Sequence, residues 1–115
     1  MGLSTHVLDT ALGRPAANVD IRLFRWHENA AGGAWEQIGA ARTDAAGRCG
    51  RLLVDQPLQT LDYKLQFKTA AYFRDLKIES LYPDVEITFS VRNPEEHYHI
   101  PLLIAANGYT TYRGS

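Results

Sequence analysis

Several short stretches of the chain alternate apolar and polar residues with a period of two, which is the pattern of a strand with one buried face. The clearest example is residues 62–68, and residues 19–23 and 85–91 show the same alternation. Glycine, proline and asparagine separate these stretches, as expected for turns. The pattern predicts an all-β fold built from short strands.

The predicted strands are residues 3–9, a strand that starts at 19 and ends at the loop of residues 29–33, and residues 35–43, 48–54, 62–68, 85–91, 97–105 and 110–113. One segment differs, because alanine and long side chains replace β-branched residues after Thr69. We predict a short helix there over residues 70–76, capped by Thr69. Strands at this spacing, with one helical interruption, favour a sandwich of two antiparallel sheets. No linker or repeat divides residues 1–115, so a single domain is expected.

Composition narrows the function classes. At 115 residues the chain can bury a core without covalent cross-links. Twelve basic and thirteen acidic residues leave a net charge of −1, which argues against a nucleic acid or a membrane as partner. The single Cys49 excludes an internal disulfide and is compatible with a reducing compartment. Neither a signal peptide nor a membrane-spanning stretch is evident, so a cytoplasmic location is expected.

The histidines are the first candidates for chemistry. His97 and His99 lie two residues apart in a predicted strand, so both should project from one face while Tyr98 faces away. They could form part of a metal site with His6 as a third ligand, but exposed histidines on an edge strand explain them equally well. His6 shares a face with Leu8, where a lone histidine is more often a hydrogen-bonded strand residue than a base.

Arg48 is the second candidate, because it follows a glycine turn that could aim its guanidinium at a carboxylate or carbonyl. Tyr112 and Arg113 near the end of the chain could act in the same way or form an aromatic edge pair. Cys49 is expected to be inert packing. The sequence contains no nucleophile elbow and no phosphate-binding glycine loop. These residue types favour one of two functions. The first is acid–base catalysis in which water reacts and an arginine holds the substrate, and the second is simple ligand binding.

Four blocks of sequence give a sharper indication. They are residues 4–9 with 13–16 (STHVLD and GRPA), 43–48 (TDAAGR), 97–103 (HYHIPLL) and 108–115 (GYTTYRGS). In these blocks the chain resembles the transthyretin-like 5-hydroxyisourate hydrolases. The likeness runs from residue 3 to the last residue, and the terminal YRGS is its most specific part.

The resemblance implies a transthyretin-like sandwich of two four-stranded antiparallel sheets with one short helix. It also implies a homotetramer, a dimer of dimers with active sites in the channel between the dimers. The implied activity is hydrolysis of 5-hydroxyisourate to 2-oxo-4-hydroxy-4-carboxy-5-ureidoimidazoline in urate breakdown, without a metal or an organic cofactor. The alternatives are a non-catalytic transthyretin-like protein that binds a small ligand, and a metal-dependent hydrolase.

Carried over by motif, the catalytic residues are His6, Arg48, His99 and Ser115. The substrate-binding residues are His6, Arg48 and Tyr112, and His97 has a supporting role. Our hypothesis makes His6 the general base with His99 assisting, while Arg48 orients the substrate and stabilises the polarised carbonyl.

Two positions depart from the family pattern. Residues 105–107 (AAN) replace a more usual Ser-Pro-Tyr in a stretch expected near the contact between dimers. Ala46 stands where an acidic or amide residue is common before Gly47, and we expect a slightly weaker turn there.

Overall fold

The computed structural model describes residues 2–53 and 56–115. Nine strands and one helix are present in these residues: β1 (Leu3–Asp9), β2 (Arg14–Pro15), β3 (Asp20–His27), β4 (Ala34–Arg42), β5 (Arg48–Cys49), β6 (Asp62–Phe67), α1 (Thr69–Asp75), β7 (Val85–Ser90), β8 (Tyr98–Ala105) and β9 (Gly108–Thr111). No helix in this part of the chain is long and apolar enough for a membrane crossing.

The strands form two sheets that pack face to face, so the predicted sandwich with one short helix is confirmed. The second sheet has the order β4-β3-β6-β7 and is antiparallel throughout. In the first sheet, β1 pairs with β8 on one side and with both β2 and β5 on the other, and β9 follows β8.

The expected strand count and direction of the first sheet need correction. This sheet has five strands, and its central pair β1–β8 is parallel. Parallel neighbours need a long crossover connection, and here the whole second sheet supplies it. Two very short strands, β2 and β5, pair with different parts of the same edge of β1. Because both count as members of the first sheet, this sheet has five strands instead of the expected four.

Most predicted strands shift by at least one residue at an end, and three of these changes affect the first sheet. The strand predicted over residues 48–54 ends at Cys49, because the chain then turns inward and buries Leu52 in the core. Val54 lies outside the described residues. β8 begins at Tyr98, so His97 immediately precedes the strand. β9 starts two residues earlier than predicted, because a tight turn lets pairing resume directly at Gly108.

The predicted helix is present, but the predicted cap is wrong. Thr69 is the first helical residue, Lys68 precedes it, and no side chain caps the helix. The side chain of Thr69 is buried, and its hydroxyl has no hydrogen-bond partner among the described residues. The N–H of Ala70 instead donates to the carbonyl of Pro83 at 3.4 Å, so a loop carbonyl replaces the expected side-chain cap.

The strand β1 separates a buried face from an outward face. Alternate residues from Leu3 to Asp9 are buried, whereas Ser4, His6 and Leu8 are only partly buried. The predicted common face of His6 and Leu8 is therefore confirmed. The outward face of the first sheet, to which these residues belong, positions the candidate site.

A buried carboxylate holds the end of β1. Asp9 is 1% exposed, and its Oδ1 accepts the N–H groups of Ala11 and Leu12 at 3.0 Å. Its Oδ2 accepts the hydroxyl of Tyr72 at 2.7 Å. Burial, together with this bond to the carboxylate, raises the pKa of Tyr72 to about 12. Asp9 thus joins the first sheet to α1.

We expect Tyr72→Phe to lower the free energy of unfolding by about 2 kcal/mol, because a buried carboxylate oxygen loses its donor. Urea unfolding at one fixed protein concentration measures this difference. Tyr109→Phe is the matched control, since Tyr109 is 43% exposed and its hydroxyl has no hydrogen bond within the described residues. Equal losses in the two variants would contradict a special role for the contact with Asp9.

Candidate active site

The strand register of the first sheet arranges the site residues in two adjacent rows. His6 pairs with Arg48 across β1–β5 and with Pro101 across β1–β8, and Ser4 pairs with His99, which bridges to Gly114. Extending the β8–β9 register by one residue places Tyr112 beside Pro101. The first row is Arg48, His6, Pro101 and Tyr112, and the second row is Ser4, His99 and Gly114. Residues in register share a face, so both rows lie on the outward face.

An open cavity of about 330 Å³ lies at the β5 side of these rows. Its lining residues are Ser4, Thr5, Arg48, Cys49, Gly50, His97, His99 and Ser115. It brings together four of the residues predicted from sequence: Arg48, His97, His99 and Ser115. The first three carry imidazole or guanidinium groups, so the cavity can hold a polar or anionic molecule.

Ser4 lies between the two histidines of this cavity. Its Oγ is 2.8 Å from Nε2 of His97 and 2.8 Å from Nδ1 of His99. Ser4 was assigned no role from the sequence, because no serine of the chain lies in a nucleophile elbow. The available signal was its spacing of two from His6, which placed both on one face of the strand.

His6 lies on the same face but does not line the cavity. Its Nε2 is 2.9 Å from the carbonyl oxygen of Ala46. A carbonyl only accepts, so Nε2 must carry the proton of this bond, and a neutral His6 has its lone pair at Nδ1. His6 is thus held against the turn that precedes Arg48.

That turn is fixed by Asp44 and Gly47. The carboxylate of Asp44 accepts the N–H groups of Ala46 and Arg48 at 2.9 and 3.0 Å. Gly47 has φ +74°, a conformation that favours glycine, and its carbonyl accepts the N–H of Val7 at 2.7 Å. Ala46 contributes only backbone groups, so its departure from the family pattern leaves the turn contacts complete.

His99 is half-buried, and its surroundings favour the neutral imidazole. Burial lowers the pKa of His99 below 6.5, and the positive charges of Arg48, His6 and His97 lower it further. Its Nε2 has no hydrogen-bond partner within residues 2–53 and 56–115. A neutral imidazole with an unengaged nitrogen has the properties needed for a base.

The end of the chain packs over His99. A Cβ placed on Gly114 would lie 2.5 Å from Cδ2 of His99 and 3.4 Å from Cγ of Pro101. The N–H of Gly114 also donates to the carbonyl of His99 at 2.8 Å. Any larger residue at this position would have to displace the His99 ring, which gives a physical reason for the glycine of the terminal motif.

The other terminal residues have separate positions. Tyr112 is 57% exposed and lies three strands from Arg48, a separation of about 14 Å at ordinary strand spacing. The guanidinium of Arg113 stacks 4.3 Å above the ring of Tyr98 and pairs with Glu96 at 3.1 Å. Tyr112 does not line the cavity that contains Arg48, His97, His99 and Ser115.

The described residues contain no group of three His, Cys, Asp or Glu side chains placed to hold a metal ion. His6, the third ligand of the metal alternative, has its Nε2 on the Ala46 carbonyl. Cys49 is buried, and burial raises the pKa of its thiol, which agrees with the expected packing role.

Comparison with known proteins gives concordant matches over nearly the full chain. The sequence model of the HIUase/Transthyretin family matches residues 3–114. The 5-hydroxyisourate hydrolase of Mus musculus is 41% identical over 113 residues, which cover 98% of this chain and 94% of that protein. The enzyme of the same name from Salmonella typhimurium is 37% identical, with coverages of 98% and 80%.

Solved structures with the same fold include both an enzyme and a transthyretin. Klebsiella pneumoniae 5-hydroxyisourate hydrolase superposes with a TM-score of 0.81 at 34% identity and covers 98% of each chain. Sea bream transthyretin in complex with thyroxine superposes with a TM-score of 0.87 at 30% identity, covering 97% of this chain and 93% of that one.

The positive charge of Arg48 contributes to the lowered pKa of His99, so Arg48→Met should raise that pKa toward 6.5 without fully restoring it. In the wild type, the His99 ring should take up its proton only below pH 6.5. Titration of the histidine ring resonances by NMR measures both values. Arg22→Met, which removes an exposed charge from the other sheet, is the control. A His99 pKa that moves equally in both variants would contradict a specific effect of Arg48.

Proposed function

The chain belongs to the HIUase/Transthyretin family, and from this premise we propose that it hydrolyses 5-hydroxyisourate to 2-oxo-4-hydroxy-4-carboxy-5-ureidoimidazoline in urate breakdown. The resemblance to this family that the sequence indicated is confirmed. The observation that carries the proposal is the cavity in which His99, His97, Arg48 and Ser115 converge. These residues supply a base, a fixed cation and hydrogen-bonding groups around one space.

The reaction needs a water molecule that loses a proton as it attacks a ring carbonyl. We propose His99 as the general base, because its Nε2 is unengaged among the described residues and its lowered pKa keeps it neutral near pH 7. The water oxygen bonds to the carbonyl carbon, and Nε2 of His99 takes the proton. The adjacent C–N bond then breaks and its nitrogen receives that proton, which leaves a ureido group and a carboxylic acid that ionises to the carboxylate by releasing its own proton to solvent.

This assignment differs from the initial hypothesis that His6 is the base. The Nε2 of His6 donates to the Ala46 carbonyl, so that nitrogen offers no lone pair. We propose instead that His6 contributes to substrate binding beside Arg48. Arg48 keeps its charge at any ordinary pH, so its proposed role is to orient the substrate and stabilise the developing oxyanion.

Ser115 and Tyr112 complete the proposed set. Ser115 lines the cavity and can form hydrogen bonds to the substrate. Tyr112 lies on the outward face but does not line this cavity, so we propose that it contacts substrate bound by a facing copy. These groups suffice for hydrolysis, and the proposal includes neither a metal nor an organic cofactor.

A ligand carrier is the alternative function. The cavity argues against it, because an apolar ligand would leave the guanidinium of Arg48 and the two imidazoles without polar partners. A polar site that holds a neutral histidine beside a fixed cation favours catalysis.

The direct assay generates 5-hydroxyisourate with urate oxidase and follows its ultraviolet decay, after subtraction of the uncatalysed rate. We expect clear acceleration by the wild type, also in the presence of EDTA.

His99→Ala should lower kcat by about 10²- to 10⁴-fold, and His6→Ala should lower it less. His27→Ala, on the other sheet, is the control. A wild-type rate equal to the background would refute the enzyme proposal, and an unaffected His99→Ala would refute the base.

We propose that the protein is a homotetramer. The outward face of the first sheet carries partly buried Leu8 and Leu103 together with exposed Tyr112, which a second copy could cover. Strands β7 and β9 each pair on one side only among the described residues, so both edges are open to association.

A cytoplasmic location is also part of the proposal, supported by the single, unpaired Cys49.

Light scattering should give four times the chain mass of 12.9 kDa. Leu103→Glu should reduce this mass, because it places a charge in the proposed contact face. Arg22→Glu, at an exposed position on the interior strand β3 of the other sheet, should leave the mass unchanged. A monomeric wild type, or equal dissociation in both variants, would contradict the proposed assembly.

A further inference from the structure

We infer that Ser4 is a positioning residue that fixes the tautomer of His99, and that the exposed His97 sets the direction of the Ser4 hydroxyl proton. The inference comes from the placement of one hydroxyl within hydrogen-bond distance of a nitrogen on each ring. Its consequence for catalysis rests on the proposed function, whereas the coupling between the rings does not.

Ser4, His97 and His99 form a hydrogen-bonded triad, and the number of protons available to it limits the directions of its two hydrogen bonds. A serine hydroxyl has one proton, so when both bonds form Ser4 donates to one ring and accepts from the other. In the first arrangement Ser4 donates to Nδ1 of His99 and accepts from Nε2 of His97. In the second, Ser4 donates to Nε2 of His97 and accepts from Nδ1 of His99.

The two arrangements give His99 opposite properties. In the first, the proton of a neutral His99 is at Nε2, and the ring can only donate to a molecule in the cavity. In the second, the proton is at Nδ1, and Nε2 carries the lone pair that a general base needs. Ser4 thus holds His99 ready to act as a base only when it donates to His97.

The protonation state of His97 therefore controls the base. A protonated His97 has hydrogens on both nitrogens, so it must donate to Ser4, and the hydroxyl then turns toward Nδ1 of His99. That change moves the proton of a neutral His99 to Nε2 and removes the base. His97 is exposed and immediately precedes β8.

Charged groups from several elements face this triad. Arg48 on β5 and His6 on β1 add positive charge near His99. Ser115 lines the cavity, and Glu96, next to His97, pairs with Arg113 at 3.1 Å. Removal of the Ser4 hydroxyl leaves all these charges in place, so a tautomer change in such a variant reports the hydrogen bond itself.

The test compares Ser4→Ala, Ser4→Thr and the wild type by ¹⁵N NMR of the histidine rings, in which protonated and unprotonated nitrogens have well-separated shifts. At a pH high enough for the His99 ring to be neutral, wild-type His99 should carry its single ring proton at Nδ1. Ser4→Ala should shift its tautomer ratio about five- to tenfold, as expected for one lost hydrogen bond, and Ser4→Thr should restore it. Ser90→Ala, on the other sheet, is the control and should change neither ring.

Kinetics supply the second readout. Ser4→Ala should lower kcat by about five- to tenfold with little change in KM, and Ser4→Thr should recover most of the loss. A wild-type His99 protonated mainly at Nε2, or ring shifts that do not respond to Ser4→Ala, would overturn the inference. If the tautomer responds but the wild type does not hydrolyse 5-hydroxyisourate, the coupling stands and the proposed function fails.

Discussion

The parallel pairing of β1 with β8 is the constraint on which the site depends. It brings Ser4 beside His99, although 95 residues separate them in sequence. A slip of one residue would send every side chain of β8 to the opposite face and turn His99 into the core. Burial prevents that slip, because Val7 on β1 and Leu102 on β8 lie in register and both are fully buried.

Positive charge and burial act together on His99. The ring lies between the strand that carries Ser4 and the backbone of Gly114, which removes part of its hydration. Arg48 adds a fixed charge that opposes protonation of the same ring. Because Arg48 can also stabilise an oxyanion, one cation keeps the proposed base neutral and offers charge to the proposed transition state.

The sequence predicted the faces of strands better than their partners. Alternation placed His6 on the same face as Leu8 and grouped His97 with His99, since a period of two follows from strand geometry alone. Alternation contains no information on which strand lies alongside, so the parallel β1–β8 pair was not foreseen. Ser4 was missed for a related reason: its contacts depend on the position of β8. The early end of β5 likewise follows from burial of Leu52, a tertiary effect.

The fold alone does not separate an enzyme from a carrier, because this chain superposes well on both a hydrolase and a transthyretin. The distinction lies in side chains on the outward face. These side chains are attached to paired strands whose buried residues form the core, so the backbone positions are fixed independently of what the outward face presents. Imidazoles and a guanidinium can then occupy this face without any change in core packing, and the same sandwich can support chemistry in one protein and ligand binding in another.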